Sequence, residues 1–313
     1  MNSFDDLDRL GSQRKPFLFI SDFKAQRLEV FEPKDLINED IEFSINQNYT
    51  YQEHSHYLKL QPVTLKSYSE KFAAVIEKIK SGETYILNLT QPTKITTKLS
   101  LKEIYKLSNA AYKLRFKDEF VCFSPEKFIQ IQENKIHTYP MKGTIDSSVK
   151  NAKEKILADK KEMAEHIMVV DLLRNDLSIV ADKVKVEAFR YVTEIDAGDK
   201  KLLQVSSHIS GNVGDDWHSK IGSILKSLLP AGSISGAPKK STLEIIENIE
   251  AYERGFFSGV FGYYDGEKLE SGVMIRFIEK KDGEFLYKSG GGITLDSGST
   301  SEYNELLDKI YLP

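Results

Sequence analysis

Residues 120–145, FVCFSPEKFIQIQENKIHTYPMKGTI, contain three short runs that predict strands at 120–124, 127–132 and 135–139. In these and most later strands, polar residues alternate with apolar ones more than in strands buried in a parallel sheet. This alternation favours a mixed or antiparallel α+β architecture over a doubly wound sheet. Lys142 follows the third run, in what looks like a tight turn between Pro-Met and Gly-Thr.

The same patterns extend to both ends of the chain. Apolar residues at helical spacing predict helices at 67–82, 100–112, 159–180, 217–229 and 299–312, and a loop that runs into a helix at 230–253. Further strands are predicted at 17–21, 27–31, 84–95, 183–194, 202–209, 257–265, 270–279 and 284–289. Residues 32–65 are weakly patterned and predict irregular structure with at most one strand. We expect residues 1–65 to belong to the same domain as residues 66–313, the catalytic part.

The composition argues against several classes of protein. The net charge is -4 over 313 residues and no basic stripe is present, which argues against binding to nucleic acid. No apolar run approaches the ~18 residues of a membrane span, and the first residues lack an apolar signal core. The single cysteine, Cys122, cannot form an internal disulfide and is expected to be buried. A cytoplasmic protein is therefore expected.

Several carboxylates do not fit an ordinary surface pattern. The predicted helix 159–180 is apolar on most sides, so we expect it to be buried, yet it carries Glu165 and an acid–base group formed by Asp171, Arg174 and Asp176. That group predicts an internal ion network. Glu302 and Glu305 share one face of the last helix. With Glu165 they would suit Mg²⁺ if the fold brings them together, although acidic pairs on a terminal helix are usually solvated and spacing alone does not show a contact.

The segment 229–242, LPAGSISGAPKKST, is a flexible loop that leads into a helix with Pro238 in its first turn. A helix N-terminus with free N–H groups is a ready site for an anion. The spacing of a P-loop is absent, and a plain turn with a helix cap explains the pattern as well.

Taken together, several segments resemble one family, the chorismate-utilising enzymes. The members are the large subunits of anthranilate and aminodeoxychorismate synthases, and isochorismate and salicylate synthases. The resemblance covers roughly residues 66–311 and rests on motifs that occur in the family's order: GETYILNLTQ (82–91), FSPEKF (123–128), PMKGTI (140–145), AEHIMVVDLLRNDLSIV (164–180), LLPAGSISGAPKKSTLEIIENIE (228–250), RGFFSGVFGYYD (254–265) and SGGGITLDSGSTSEYNELLDK (289–309).

The resemblance implies two large antiparallel sheets packed face to face, with helices outside and the active site in a cleft, and it implies chorismate and Mg²⁺. Glu165, Glu302 and Glu305 match the metal-site acids, and Glu126 matches the general acid/base near the leaving hydroxyl. Arg276 matches the arginine that grips a substrate carboxylate. The remaining pocket positions that match are Gly143, Thr144, Gly290, Gly292, His208, Ser233 and Lys309.

Lys142 distinguishes one subgroup. The anthranilate, isochorismate and salicylate synthases resemble one another in having alanine at this position. With a lysine here, the chain resembles the aminodeoxychorismate synthases. In that subgroup the lysine attacks C2 of chorismate, the 4-hydroxyl leaves, and ammonia enters at C4 and expels the lysine. Attack requires a neutral amine, so we expect a depressed pKa. A shift of about 3 units corresponds to roughly 4 kcal/mol.

The resemblance also implies partners. Cys122 is not in the motif of a glutaminase nucleophile, so ammonia is expected from a separate glutamine amidotransferase or from free ammonium. A separate aminodeoxychorismate lyase would release p-aminobenzoate for folate synthesis.

The chain departs from the family pattern at a few positions. Ile86 stands where the family has glutamine or, in the members that add water, a lysine, which argues against addition of water. Phe257 replaces a tyrosine, so one hydroxyl contact to a carboxylate is expected to be lost. The chain is short before residue 66, which puts an amino-acid regulatory pocket in doubt. Anthranilate synthase component I and a catalytically silent chorismate-binding module remain the alternatives.

Overall fold

A computed structural model describes residues 3–46, 56–197 and 200–313. In chain order the helices are α1 Phe4–Ser12, α2 Leu65–Lys80, α3 Leu101–Leu107, α4 Ala152–Ala158, α5 Lys160–Ser178, α6 Ile221–Leu228, α7 Gly232–Ser235, α8 Lys239–Glu250 and α9 Ser299–Asp308. Short 3₁₀ turns lie at Pro33–Asp35 and Trp217–Lys220. Within these ranges, none of the helices combines the length and the apolar character needed to cross a membrane.

The strands are β1 Phe17–Ser21, β2 Leu28–Phe31, β3 Ile41–Ile45, β4 Leu58–Gln61, β5 Ile86–Thr97, β6 Tyr112–Phe116, β7 Phe120–Ser124, β8 Lys127–Gln132, β9 Lys135–Thr138, β10 Met141–Asp146, β11 Asp182–Ala197, β12 Lys200–Asn212, β13 Gly236–Ala237, β14 Val260–Tyr264, β15 Leu269–Val273, β16 Phe277–Lys281 and β17 Glu284–Ile293. All pairings among the described strands are antiparallel.

These strands form two large antiparallel sheets. The first has the order β10-β12-β9-β8-β15-β14-β1-β2, with β11 paired to β12. The second has the order β13-β5-β17-β16-β7-β6-β3, with β4 paired to β5. One buried cluster takes Leu18, Ile20 and Phe261 from the first sheet and Leu114 and Phe277 from the second. The predicted α+β architecture with two antiparallel sheets is thus confirmed.

The predicted strand 270–279 is wrong as a single element. β15 belongs to the first sheet and β16 to the second, so the chain changes sheets at Met274–Arg276. Arg276 has a left-handed backbone (φ 52°), which breaks the extended run. Met274–Arg276 contains no glycine or proline, so no turn residue marks this break in the sequence.

The first 65 residues contain more structure than expected. The capping box at Ser3 starts α1, a helix that the sequence analysis did not predict. Two strands, β3 and β4, lie in the region expected to hold one at most, and residues 47–55 of that region lie outside the described residues. β1 pairs with β14, β3 with β6 and β4 with β5, so this segment contributes to both sheets.

Helix α5 is less buried than its composition predicted. Met163 and Ile167 are 37% and 48% exposed. The predicted internal network is also wrong, because Arg174 pairs with Asp171 at the surface and not with Asp176. Asp176 is buried and bonds instead to Lys239, at 3.1 Å, at the start of α8. The last turns of α5 therefore hold the neighbouring loop in place. A different face of the helix lies toward the cleft.

Candidate active site

A cavity of about 460 Å³ is lined by residues from β10 of the first sheet, β5 and β17 of the second, and helices α5, α7 and α9. Most of the predicted site residues line it: Glu126, Lys142, Gly143, Thr144, Ser233, Arg276, Gly290, Gly292, Glu305 and Lys309. These positions are far apart in the sequence, and only the pairing of the strands brings them together. Ile86 and Phe257, where the chain departs from the family pattern, line the same cavity.

Lys142 lies on strand β10 rather than in a tight turn. The pairing of β10 with β12 shifts register between Met141 and Thr144, and Gly143 adopts a positive φ of 89°. A side chain at Gly143 would be strained by this backbone and would approach Glu162. The irregularity lies immediately after Lys142, in the part of the strand that lines the cavity.

The Lys142 Nζ atom lies 2.7 Å from Oε2 of Glu165. Burial is the largest single effect on Lys142 and lowers its pKa, but the carboxylates of Glu165, Glu305 and Glu162 together outweigh burial, and the pKa is raised. The expectation of a depressed pKa is therefore wrong for this arrangement of the protein's own charges. As it stands, Lys142 is held as an ammonium ion.

Glu126 is positioned by the turn between β7 and β8. Its Oε1 accepts a hydrogen bond of 2.6 Å from the Ser233 hydroxyl on α7. Burial raises the pKa of Glu126 above its usual value, and Ser233, Lys309 and Lys142 offset part of that effect. A carboxyl group with a raised pKa keeps its proton at higher pH and can serve as a proton donor.

The three predicted metal-site acids converge from two elements. Glu165 on α5 and Glu302 on α9 are both buried, and Lys161 Nζ lies 3.8 and 4.0 Å from their carboxylates. A Cβ built on Gly291 would meet Glu302 and Glu305 at 3.3 and 3.6 Å. These acids therefore surround one small region.

The donor chemistry of this region fits Mg²⁺. Magnesium takes hard oxygen ligands, often one or two carboxylates with the rest from water and substrate. Burial raises the pKa of Glu302, and the neighbouring Glu305 carboxylate adds to the rise, while Lys161 and Lys142 offset part of it. Within the described ranges, however, no three acidic, histidine or cysteine side chains are spaced as a ligand set. Lysine ammonium groups, from Lys142, Lys161 and Lys309, pair with the acids instead.

Arg276 lies where the chain changes sheets. Its Nη1 donates to the Lys309 carbonyl at 2.9 Å, and its guanidinium lies 5.2 Å from the Tyr311 ring centroid. Its Nε is buried and has no hydrogen-bond partner. A buried donor without a partner in a cavity wall is suited to an anionic ligand.

A sequence profile of the family described as chorismate binding enzyme matches residues 22–312, nearly the whole chain. This chain belongs to that family. The chain is 44% identical over 313 residues to an "Uncharacterized PabA-like protein" of Haemophilus influenzae, covering 99% of this chain and 95% of that protein. It is therefore similar to that protein over almost the full length of both.

Two more distant relatives have more specific names. "Aminodeoxychorismate synthase component 1" of Salmonella typhimurium is 32% identical over 79% of this chain. "Anthranilate synthase component 1" of Archaeoglobus fulgidus is 32% identical over 77% of it. The chain spans 57% and 61% of these two relatives, so it is much shorter than either. Overall identity does not separate the two activities.

A solved structure supports the fold. The isochorismate synthase MenF of Escherichia coli superposes with a TM-score of 0.75, at 16% identity, over 99% of this chain and 81% of that one. At this identity the likeness concerns the fold alone, and it agrees with the two antiparallel sheets described above.

Not every predicted site residue of this chorismate-binding enzyme faces the cavity. Glu165, Glu302 and His208 are not among the residues that line it. The His208 ring stacks on Tyr139, which does line it, at 4.6 Å, and pairs with His137 at 3.0 Å. The contact of His208 with the substrate, which the family resemblance implies, stays a prediction.

Several residues of the site were missed. Lys161 is four residues before Glu165, a spacing at which helical side chains meet, and this signal could have identified it. Glu162 was not singled out by the sequence analysis, yet it lines the cavity and its buried Oε2 has no hydrogen-bond partner. Lys288 and Tyr139 also line the cavity, and no spacing in the sequence identifies them.

Proposed function

We propose that this chain catalyses the Mg²⁺-dependent amination of chorismate at C4, giving 4-amino-4-deoxychorismate through a covalent adduct with Lys142. The observation that carries the proposal is that Lys142 and Glu126 line one cavity. A nucleophilic amine and a carboxyl group with a raised pKa are the two protein groups that such a displacement needs.

The steps balance in atoms and charge. Lys142 gives up its ion pair with Glu165 and releases a proton to solvent, which it regains from solvent after it is expelled. Its free electron pair attacks C2, and the ring double bonds shift toward C4. The C4–O bond breaks as Glu126 donates its proton to the departing hydroxyl, which leaves as water. Ammonia then forms a bond to C4, the C2–N bond to Lys142 breaks, and a proton from the new amine is released to Glu126.

Glu165, Glu302 and Glu305 would hold the magnesium ion, which supplies positive charge for a substrate carboxylate and for the charge that develops as the hydroxyl leaves. Arg276, with its unpartnered Nε, is placed to bind a carboxylate of the substrate. Gly143, Thr144, Gly290 and Gly292 line the wall, where backbone N–H groups can approach an anion closely. Ile86 is apolar and offers no base to activate water.

The ammonia would come from a glutamine amidotransferase partner or from ammonium in solution. The product keeps its enolpyruvyl group, so a separate lyase would have to remove pyruvate to give p-aminobenzoate. In the described part of the chain the only cysteine, Cys122, is fully buried, and burial raises the pKa of its thiol. It is therefore unsuited to hydrolyse glutamine.

Anthranilate synthesis is the second candidate, because an anthranilate synthase relative is as similar as an aminodeoxychorismate synthase relative. The lysine in the cavity favours amination at C4, since anthranilate formation does not need a covalent amine.

Product analysis tests the proposal. The purified chain is incubated with chorismate, Mg²⁺ and an ammonium salt, and the products are analysed by mass spectrometry with and without aminodeoxychorismate lyase. A product that keeps the enolpyruvyl group and yields p-aminobenzoate with the lyase is expected. Anthranilate and pyruvate without the lyase would overturn the assignment. If no product forms, the assay is repeated with an added glutamine amidotransferase subunit and glutamine, and continued inactivity would count against an enzyme.

A further inference from the structure

We propose that Ser233 is a positioning residue for Glu126, and that the Ser233 hydroxyl fixes which carboxyl oxygen of Glu126 carries the transferable proton. This inference rests on the proposed function. The sequence resemblance assigned Ser233 only to the substrate pocket. The structure gives it a different and more specific contact, a 2.6 Å hydrogen bond from its Oγ to Oε1 of Glu126.

The direction of this bond has a chemical consequence. A protonated carboxyl group has one carbonyl oxygen, which accepts, and one hydroxyl oxygen, which donates. In the proposed arrangement Ser233 donates to Oε1, which makes Oε1 the accepting oxygen and places the proton on Oε2. The carboxyl group is then oriented with its acidic oxygen free for the departing hydroxyl of the substrate. Proton transfer from Oε2 leaves a carboxylate that still accepts from Ser233.

Ser233 is itself held on a rigid support. It lies on the single-turn helix α7, next to Ile234, whose carbonyl accepts a 3.0 Å hydrogen bond from the buried Arg254. A Cβ on Gly232 would come within 2.6 Å of Asp176 on α5, so α7 packs directly on that helix. Asp176 in turn binds Lys239 at the start of α8. A hydroxyl on so constrained a turn can orient its partner at little entropic cost.

The charged groups that act on Glu126 come from other elements. Lys142 on β10 and Lys309 at the end of α9 both favour its ionised form, as does Ser233, while burial disfavours that form and dominates. Removing the Ser233 hydroxyl takes away one group that stabilises the carboxylate. The pKa of Glu126 is then expected to rise further.

The test compares Ser233→Ala, Ser233→Thr and Ser235→Ala in the full chain. Ser235 is the matched control, because its hydroxyl lies on the same turn but donates to the Ala231 carbonyl. Chorismate turnover with Mg²⁺ and ammonium is measured against pH at constant free ammonia. Ser233→Ala should lower kcat roughly 10- to 100-fold, as expected for a lost hydrogen bond to a charged group, with KM little changed. Ser233→Thr should recover most of the activity, and Ser235→Ala should behave as the unmodified chain.

A second readout does not depend on turnover. Infrared titration follows the protonated carboxyl band of Glu126, which is assigned by its loss in Glu126→Gln. The band should persist to higher pH in Ser233→Ala than in Ser235→Ala. An unchanged titration, or a loss confined to KM, would overturn the inference in favour of a substrate-binding role. If the unmodified chain consumes no chorismate even with an added glutamine amidotransferase subunit and glutamine, the proposed function fails, while the infrared titration still decides the role of Ser233.

Discussion

At the scale of single residues, the cavity holds opposite charges that restrain one another. Lys142 is paired with Glu165, and Lys309 pairs with Glu305 at 2.7 Å and donates to the Gly290 carbonyl at the same distance. Each pair places a positive charge beside an acid that could otherwise bind a cation. The reactive state must therefore differ from the one described, because a protonated Lys142 is not a nucleophile.

Replacement of Lys142 tests the covalent route. Lys142→Ala should lower the rate of C4 amination by roughly 10³-fold or more, a loss typical of removing a covalent nucleophile. It should also abolish the lysine-bound adduct that mass spectrometry of the acid-quenched unmodified chain would detect. Lys153→Ala is the control, since Lys153 is an exposed lysine on α4 that does not line the cavity. Amination at the unmodified rate in Lys142→Ala would exclude the adduct.

The pH dependence of turnover tests the role of Glu126. Its pKa is raised by burial, so the proton-donating form survives to a higher pH than in an exposed glutamate. A step that needs this proton slows as the pH rises through the raised pKa. Glu126→Gln cannot donate a proton and should lose roughly 10²- to 10⁴-fold in kcat, together with this alkaline limb. The profile is measured at constant free ammonia, and persistence of the same limb in Glu126→Gln would assign it to another group.

At the scale of elements, the cavity depends on a buried ion pair. Arg254 and Glu250 are 2% and 1% exposed and lie 2.7 Å apart. Arg254 also donates to the carbonyls of Asn88 on β5 and Ile234 on α7, while Thr90 donates to Glu250. This pair therefore joins a strand, a helix and the turn that carries Ser233.

Removal of one partner should be costly. Arg254→Met leaves Glu250 buried without its counter-charge and should lower the free energy of unfolding by about 3–5 kcal/mol. The control is Arg174→Met, which breaks an exposed pair with Asp171 and should change it by less than about 1 kcal/mol. Equilibrium urea denaturation measures both. Equal losses in the two variants would show that burial of the pair does not matter.

The sequence predicted elements with strong local signals and missed those whose signals are long-range. β1, β7 and β8 lie at their predicted bounds because turn residues and alternation define them locally. α1 was not predicted, because its many charged residues obscure the helical spacing of its apolar residues. Its packing against α6 is a long-range feature that depends on Gly222, where a Cβ would collide with the Phe4 carbonyl. The break between β15 and β16 was not predicted, because a positive φ at an arginine has no recognisable signal in the sequence.

At the scale of the whole molecule, the cavity lies where the two sheets come together. Glu165 is on α5, which packs on β10, β11 and β12 of the first sheet. Glu302 and Glu305 are on α9, which packs on β17 of the second. No local pattern could reveal that these helices approach one another, so the residue types alone suggested the three acids as one site without showing that they meet. Their roles as metal ligands stay a prediction.

Because these acids come from both halves, a bound cation should stabilise the whole fold. A ligand at 100 times its Kd adds about 2.7 kcal/mol to the free energy of unfolding, which in a chain of this size raises Tm by several degrees. Scanning calorimetry with Mg²⁺ and with EDTA should show this rise in the unmodified chain. Glu165→Gln removes a buried candidate ligand and should abolish most of it, whereas Glu154→Gln, at an exposed position on α4, should retain it. An equal rise in all three proteins would mean that magnesium acts elsewhere, and no rise in any would count against a metal site formed by these acids in the substrate-free chain.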